Sequence, residues 1–143
     1  MRELFRSAHF LVELDEANKV LFRRRTERGY TSAAEIEAAY EALFSAVEPF
    51  HRPEYGLLSD LRLAPPRNDP TFERAVGRYH VRFYSHFHKI AHVVLTEAGR
   101  LQIARLAQPD VARRLRVFTS EAMALEFLTN PRVGLPVRQG FLS

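Results

Sequence analysis

Three arginines recur at every fourth residue of a segment whose apolar residues predict a helix, namely Arg74, Arg78 and Arg82. This spacing puts three like charges on one helical stripe, where each pair repels by roughly 0.2–0.5 kcal/mol. An acidic protein surface or a phosphate would relieve that repulsion, and Arg67 lies just upstream. The alternative is a solvated face whose acidic neighbours compensate the charge, because surface ion pairs contribute little to stability.

Two apolar residues on the same segment, Val81 and Tyr84, fall outside the stripe that begins at Phe72 and is predicted to face the core. Arginine beside tyrosine is typical of the anchors of protein interfaces. The alternative is two singly exposed apolar side chains, which are ordinary on any surface. The candidate partner-binding face consists of Arg67, Arg74, Arg78, Val81, Arg82 and Tyr84.

A second candidate region follows the third predicted strand. Asp60 and Arg62 lie where that strand ends, which is where open α/β sheets bind ligands. Asp69 precedes Pro70 in a typical helix start, and Thr71 is the nearest hydroxyl. We interpret Asp60 and Arg62 as a candidate ligand region; the alternative is a salt bridge at the strand end.

Several chemistries are disfavoured by the residues present. The chain has no cysteine, so thiol catalysis, thiolate metal sites and disulfides are excluded. The best-spaced histidine pair, His88 and His92, straddles a predicted helix-to-strand junction, and zinc needs three or four convergent ligands. No G-x-S-x-G, Walker or dinucleotide-binding pattern is present. We therefore expect no catalysis, no metal and no cofactor.

The formal net charge is +4, with a pI near 9.8, and the excess of arginine lies in the second half of the chain. Arg23, Arg24 and Arg25, with Arg28 nearby, form a local basic cluster. The acidic helix predicted just downstream and the lack of a known nucleic-acid-binding motif disfavour nucleic acid as a partner. We expect a protein partner with an acidic surface, and a homodimer is a further option.

The chain has no apolar run near the ~18–20 residues needed to cross a bilayer, and its first residues lack the apolar stretch of a signal peptide. We therefore expect no membrane span and a cytoplasmic location.

The apolar periodicities predict the elements that must position these residues. Two alternating runs around a polar turn predict a β-hairpin, and Ser32 with Glu35 matches a capping box at the start of the first helix. The predicted strands are 9–14, 20–22, 55–61, 90–95 and 115–118, and the predicted helices are 33–47, 70–87, 98–107 and 121–128. The order ββαβαβαβα indicates an α/β domain over residues 1–130, with a mixed five-stranded sheet and helices packed on it. Residues 131–143 form a tail that either folds back or docks on a neighbour.

The order and local patterns over about residues 8–128 resemble the SpoIIAA-like branch of the STAS superfamily, whose bacterial members are also described as SEC14-like. The matching segments are GLLSDLR at 56–62, NDPTFE at 68–73, AHVVL at 91–95, and RVF at 116–118 with EAMALEFL at 121–128. The resemblance implies a non-enzymatic module that binds regulatory proteins, nucleotides or lipids. Some members are switched by phosphorylation of a Ser or Thr at the second helix start, where this chain has Asp69 at the cap and Thr71 as the nearest acceptor. The resemblance therefore implies a candidate switch or ligand region that consists of Asp60, Arg62, Asp69 and Thr71.

These observations predict a non-catalytic, protein-binding adaptor or regulatory module of bacterial signalling. The alternative function is a small-molecule or lipid carrier whose ligand lies between the sheet and its helices.

Overall fold

The computed structural model describes residues 1–66, 69–96, 98–101 and 113–131. In these residues a six-stranded mixed sheet has the strands in sequence order. The first three strands pair antiparallel, and the third to the sixth pair parallel. The strands are β1 (Arg2–Arg6), β2 (Phe10–Asp15), β3 (Val20–Arg25), β4 (Gly56–Asp60), β5 (Ile90–Val93) and β6 (Leu115–Phe118).

The helices of the described residues that pack on this sheet are α1 (Ala33–Val47), α2 (Pro70–Tyr84) and α3 (Glu121–Thr129). A short 3₁₀ turn, Glu48–Phe50, follows α1. Residues 98–101 are helical, which agrees with the start of the predicted third crossover helix. The rest of that predicted helix and residues 132–143 of the predicted tail lie outside the described residues.

The sequence-based prediction of five strands was wrong by one, because it missed β1. This strand pairs antiparallel with β2 and shifts register between Glu3 and Phe5. Only Leu4 and Phe5 are apolar in it, and both are half-buried at the edge of the sheet. A short edge strand with a bulge needs little apolar alternation, so the pattern that identifies the other strands is absent here.

Side-chain caps explain where the helices begin. The backbone N–H of Phe72 donates to the Asp69 carboxylate at the start of α2. The backbone N–H of Met123 donates to the Ser120 hydroxyl at the start of α3. Ser32 accepts from the backbone of Glu35, as predicted, but the Glu35 carboxylate accepts from Thr31 instead of returning to Ser32. One of the two hydrogen bonds of the predicted capping box is therefore formed, and the helix starts where the sequence predicted.

The sheet buries a different core on each face. α1 and α2 cover the face that carries Phe10, Leu21 and Leu57, whereas α3 covers the face that carries Phe22 and Leu58. Because side chains alternate along a strand, neighbouring residues of β3 and β4 point into different cores. The carboxyl ends of the parallel strands β3, β4 and β5 meet at one edge of the sheet, which is where the site described below lies.

Candidate functional site

The predicted arginine stripe on α2 is only partly available to a partner. Arg74, Arg78 and Arg82 are all exposed, as predicted. Arg82, however, donates to the Glu41 carboxylate of α1 at 2.6 Å, and its guanidinium lies 4.1 Å from the centre of the Phe44 ring. The free charge of the stripe is therefore that of Arg74 and Arg78, since neither forms an ion pair within the described ranges.

The predicted apolar anchor is wrong for Tyr84. This residue is 2% exposed, and its hydroxyl accepts a hydrogen bond from the Arg23 guanidinium at 2.9 Å. Val81 is half-buried. The helix packs against both α1 and the sheet, so its buried arc is wider than a single stripe and reaches Tyr84. Arg67, the remaining member of the predicted face, lies outside the described residues.

Asp60 and Arg62 form a salt bridge at the end of β4, where Arg62 donates to both carboxylate oxygens of Asp60 at 2.9 Å. Arg24 donates to Asp60 and to Glu121 at 2.8 Å each. Burial alone would raise the pKa of Asp60, but the hydrogen bonds from Arg62 and Arg24 hold it below its usual value. This cluster, completed by Glu13 beside Arg24, ties the ends of β3 and β4 to the start of α3.

The two remaining residues of the predicted switch region lie at the start of α2. Asp69 is its N-cap, with the hydrogen bond from Phe72 noted above. Thr71 is exposed in the first turn. The carboxylate of Asp69 therefore has a structural role at the position where the resemblance implies a switch residue.

The basic run of β3 is not the surface cluster that the sequence suggested. Arg23 is fully buried, Arg25 is 8% exposed, and Arg24 on the opposite face is held by the carboxylates just described. Arg23 and Arg25 share a face with Leu21, because residues two apart in a strand point the same way. The alternation of side chains along β3 separates Arg23 and Arg25 from Arg24, whereas composition alone groups the three arginines as one charged cluster.

Arg23 begins a buried polar row that crosses the sheet beneath α2. In the strand register Arg23 lies beside Ser59, and Ser59 beside His92. The Arg23 guanidinium donates to the hydroxyls of Ser59, Tyr84 and, at 3.4 Å, Tyr40. These partners are all neutral, and the Arg23 Nε has no hydrogen-bond partner in the described part of the chain.

Two buried histidines accompany Arg23: His92 ends the row, and His80 of α2 lies close to it. Burial, together with the charge of Arg23, lowers the pKa of His92 to about 3 and that of His80 well below its usual value. Both imidazoles are therefore neutral near pH 7. Neither ring nitrogen of His92 has a hydrogen-bond partner among the described residues, which is costly for a buried polar group.

A cleft of about 820 Å³ opens above the polar row, at the carboxyl ends of β3, β4 and β5. Ligand-binding pockets commonly have volumes of about 300–1,000 Å³, and open α/β sheets place them at this edge. The lining comes from the end of β3, from α1 and α2, from the segments that follow β3, β4 and β5, and from residues 98–101. Its residues are Arg25, Glu27, Tyr30, Tyr40, Leu61, Arg62, Leu63, Ala64, Pro65, Pro66, Phe72, Val76, His80, Val94, Leu95, Thr96, Ala98, Gly99 and Leu101.

The cleft is mostly apolar, but the charge behind its β3 end is positive. Arg25 lines it directly, and Arg23 lies two residues earlier on the same face of the strand, behind Tyr40. Within the described residues neither arginine forms an ion pair with a carboxylate. Of the predicted site residues that the structure describes, only Arg62 lines the cleft, and its guanidinium is already engaged by Asp60 and Glu121.

A scan against protein-family models finds no match for this chain, and neither does a search of the curated proteins. Among solved structures the chain is similar to an uncharacterized protein of the DUF3478 family from Shewanella loihica PV-4, described as having a SpoIIAA-like fold. The two share 16% sequence identity, with a TM-score of 0.59 over 87% of this chain and 98% of the other. The fold is SpoIIAA-like. The resemblance stated from the sequence segments is thereby confirmed at the level of the fold.

In this SpoIIAA-like domain, none of the helices in the described residues has the length and apolar character needed to span a bilayer. The same residues contain no group of three or more histidine, aspartate or glutamate side chains placed to hold a metal ion. What the described part of the site offers is a pocket with an apolar wall and a buried cationic end, which is an arrangement suited to binding.

Proposed function

We propose that this SpoIIAA-like domain is a non-catalytic binding module whose site is the cleft at the carboxyl ends of β3 to β5, and that its ligand is a small molecule. The observation that carries the proposal is the pair of buried arginines on one face of β3, Arg25 in the cleft lining and Arg23 behind it, neither with a carboxylate partner in the described residues. Burying an uncompensated charge is expensive, and the fold of the sheet does not require it.

The lining supports binding better than catalysis. His80 is the histidine that lines the cleft, and its low pKa makes it a weak proton acceptor near neutral pH. In the described structure the Thr96 hydroxyl accepts from the backbone of Gly99 and the Tyr40 hydroxyl accepts from Arg23, and neither partner is a base that would activate the hydroxyl. Because the buried charge of Arg25 lies in a cleft of small-molecule size, the alternative inferred from the sequence, a small-molecule carrier with its ligand between sheet and helices, is preferred over the adaptor.

Native mass spectrometry of the protein, purified gently from the organism that makes it, tests this proposal. Ala98 is exposed and lines the cleft, so an Ala98→Trp variant fills the cleft without overpacking the core. Ala122→Trp is the matched control, because Ala122 is exposed on α3, which packs on the opposite face. A bound mass that is present in the wild type and the control but lost in Ala98→Trp is expected. A wild type without any bound mass, or a mass retained in all three proteins, contradicts the proposal.

The protein-binding adaptor is a second candidate, favoured by Arg74 and Arg78, which lie one turn apart and are exposed without ion pairs in the described structure. An acidic partner surface would neutralise both charges. The test is a pull-down that compares the wild type with the Arg74→Glu, Arg78→Glu double variant and with an Arg2→Glu, Arg6→Glu control on β1. A partner lost only from the first variant, and weakened in the wild type by added salt, supports the adaptor; equal capture by all three contradicts it. Sedimentation of the same samples tests the homodimer.

A further inference from the structure

The cleft has two chemically different ends, because the strands that end in it are neighbours in the sheet. β3 contributes Arg25, and β5 is followed by Val94 and Leu95 on the far side of β4. Adjacent strands lie about 4.8 Å apart, so these two ends are separated by roughly 10 Å. A ligand that fills the cleft therefore meets a guanidinium at one end and aliphatic side chains at the other.

At the polar end, Arg25 is held in place and still has donors to offer. Its Nε donates to the carbonyl oxygen of His9 at 3.2 Å, and its Nη2 to that of Arg28 at 2.6 Å. Its guanidinium stacks 4.6 Å from the centre of the Tyr30 ring. The Nη1 group makes no hydrogen bond to a described residue. An immobilised guanidinium with remaining N–H donors binds carboxylates with little loss of entropy.

The charge balance at this end fits one negative charge better than two. Arg23 adds to the positive potential from below, but it is fully buried and its donors point to hydroxyls of the protein. Glu27 lines the same cleft and opposes part of that potential. A phosphate, with two charges and three oxygens to satisfy, would need more donors than Arg25 has left.

At the other end, large apolar side chains are left in water. Leu95 is 71% exposed, and Leu63 and Leu101 are also exposed at the rim of the cleft. Three exposed leucines thus line one pocket, and exposed apolar surface of this kind is typical of binding sites. An aliphatic chain lying between them would remove this surface from water.

We propose that the ligand of this cleft is a monoanionic amphiphile, with a carboxylate at the Arg25 end and an aliphatic chain at the Leu95 end. This inference rests on the proposed function and names the chemical class of its ligand.

The first experiment compares two probes of equal chain length, decanoate and 1-decanol, by calorimetric titration of the wild-type protein. We expect decanoate to bind at least about tenfold more tightly, because a hydrogen bond to a charged group outweighs one to a neutral hydroxyl. Equal affinities, or tighter binding of 1-decanol, overturn the assignment of an anionic head. This comparison needs no variant, so it holds even if a substitution prevents folding.

Two pairs of variants locate the ends of the ligand. Arg25→Met is expected to abolish the preference for decanoate with little effect on 1-decanol, whereas Arg28→Met, outside the cleft lining, retains the preference. Leu95→Glu is expected to weaken the binding of both probes at least about tenfold, whereas Met123→Glu, at an exposed apolar residue of α3, changes the binding of neither. A preference that survives Arg25→Met overturns the placement of the carboxylate.

The two proposals fail in different ways. If neither probe binds but native mass spectrometry finds a ligand that Ala98→Trp expels, the cleft is a binding site and the amphiphile assignment is wrong. If neither probe binds and no bound mass is found, both proposals are overturned.

Discussion

His92 gives the structure a specific pH dependence. The residue lies in the middle of β5 in the buried row with Ser59 and Arg23, and its side chain is completely shielded from water. Tyr84 covers it edge-on, with the ring centres 5.3 Å apart. Burial and the nearby Arg23 charge lower the pKa of His92 to about 3, from an ordinary value of 6.5.

The sign and size of the effect follow from these two pKa values. Between pH 6.5 and about pH 3 the unfolded chain binds a proton at His92 that the native protein does not, so stability falls as the pH falls through this range. Each pKa unit corresponds to about 1.4 kcal/mol, so at about pH 5, some 1.5 units below the unfolded pKa, the loss is about 2 kcal/mol. Above the pKa of the unfolded chain the histidine is neutral in both states, so the stability no longer depends on its protonation.

The assay is urea unfolding of the wild type and of a His92→Leu variant, each at about pH 5 and about pH 8. The variant removes the titrating group and has a side chain of similar volume. The free energy of unfolding of the variant minus that of the wild type should therefore be about 2 kcal/mol larger at about pH 5 than at about pH 8. His88→Gln is the control, because His88 is exposed. A difference between wild type and His92→Leu that is the same at both pH values refutes the reasoning.

Three further substitutions test the packing and the polar clusters, each by urea unfolding. Ser120→Ala removes the cap of α3 and should cost about 1 kcal/mol, whereas Thr119→Ala beside it should cost little. Glu121→Gln weakens the bonds that join Arg24 to α3 and should cost about 1 kcal/mol, a loss that shrinks in high salt because the pair is partly exposed. Leu43→Ala should cost about 2–5 kcal/mol, because Leu43 is fully buried between α1 and the sheet.

The elements that the sequence predicted are those whose signals are local. The hairpin of β2 and β3 has two alternating runs and a polar turn, in which Asp15 accepts from Asn18. Asp69 and Ser120 form the predicted caps, and the parallel strands follow from the crossover order. The prediction missed β1 because this bulged edge strand has only two apolar side chains, and both are only partly buried. The strand therefore shows no alternation of apolar and polar residues.

The site was harder to predict, because it depends on which neighbours a face meets. A single apolar stripe on α2 describes a helix with one neighbour, but α2 packs on both α1 and the sheet, so Tyr84 is buried. The basic run of β3 looks like a surface cluster when it is read by composition. The alternation of side chains along the strand instead places Arg23 and Arg25 with Leu21 on the core face. No local sequence pattern identifies the residues that stabilise the two arginines there.

The buried row is the feature that the fold by itself does not explain. A sheet of this kind needs only apolar side chains beneath α2, and replacing buried charge by apolar groups of similar volume is often neutral or stabilising. Arg23 nevertheless has three neutral hydroxyls arranged around it, and His92 is buried without a hydrogen bond in the described structure. Neither residue lines the cleft, but Arg23 contacts Tyr40 of its lining, and Arg25 at the β3 end of the cleft follows Arg23 by two residues. The proposed anionic ligand would account for the positive potential beneath the cleft, which the packing of the sheet does not require.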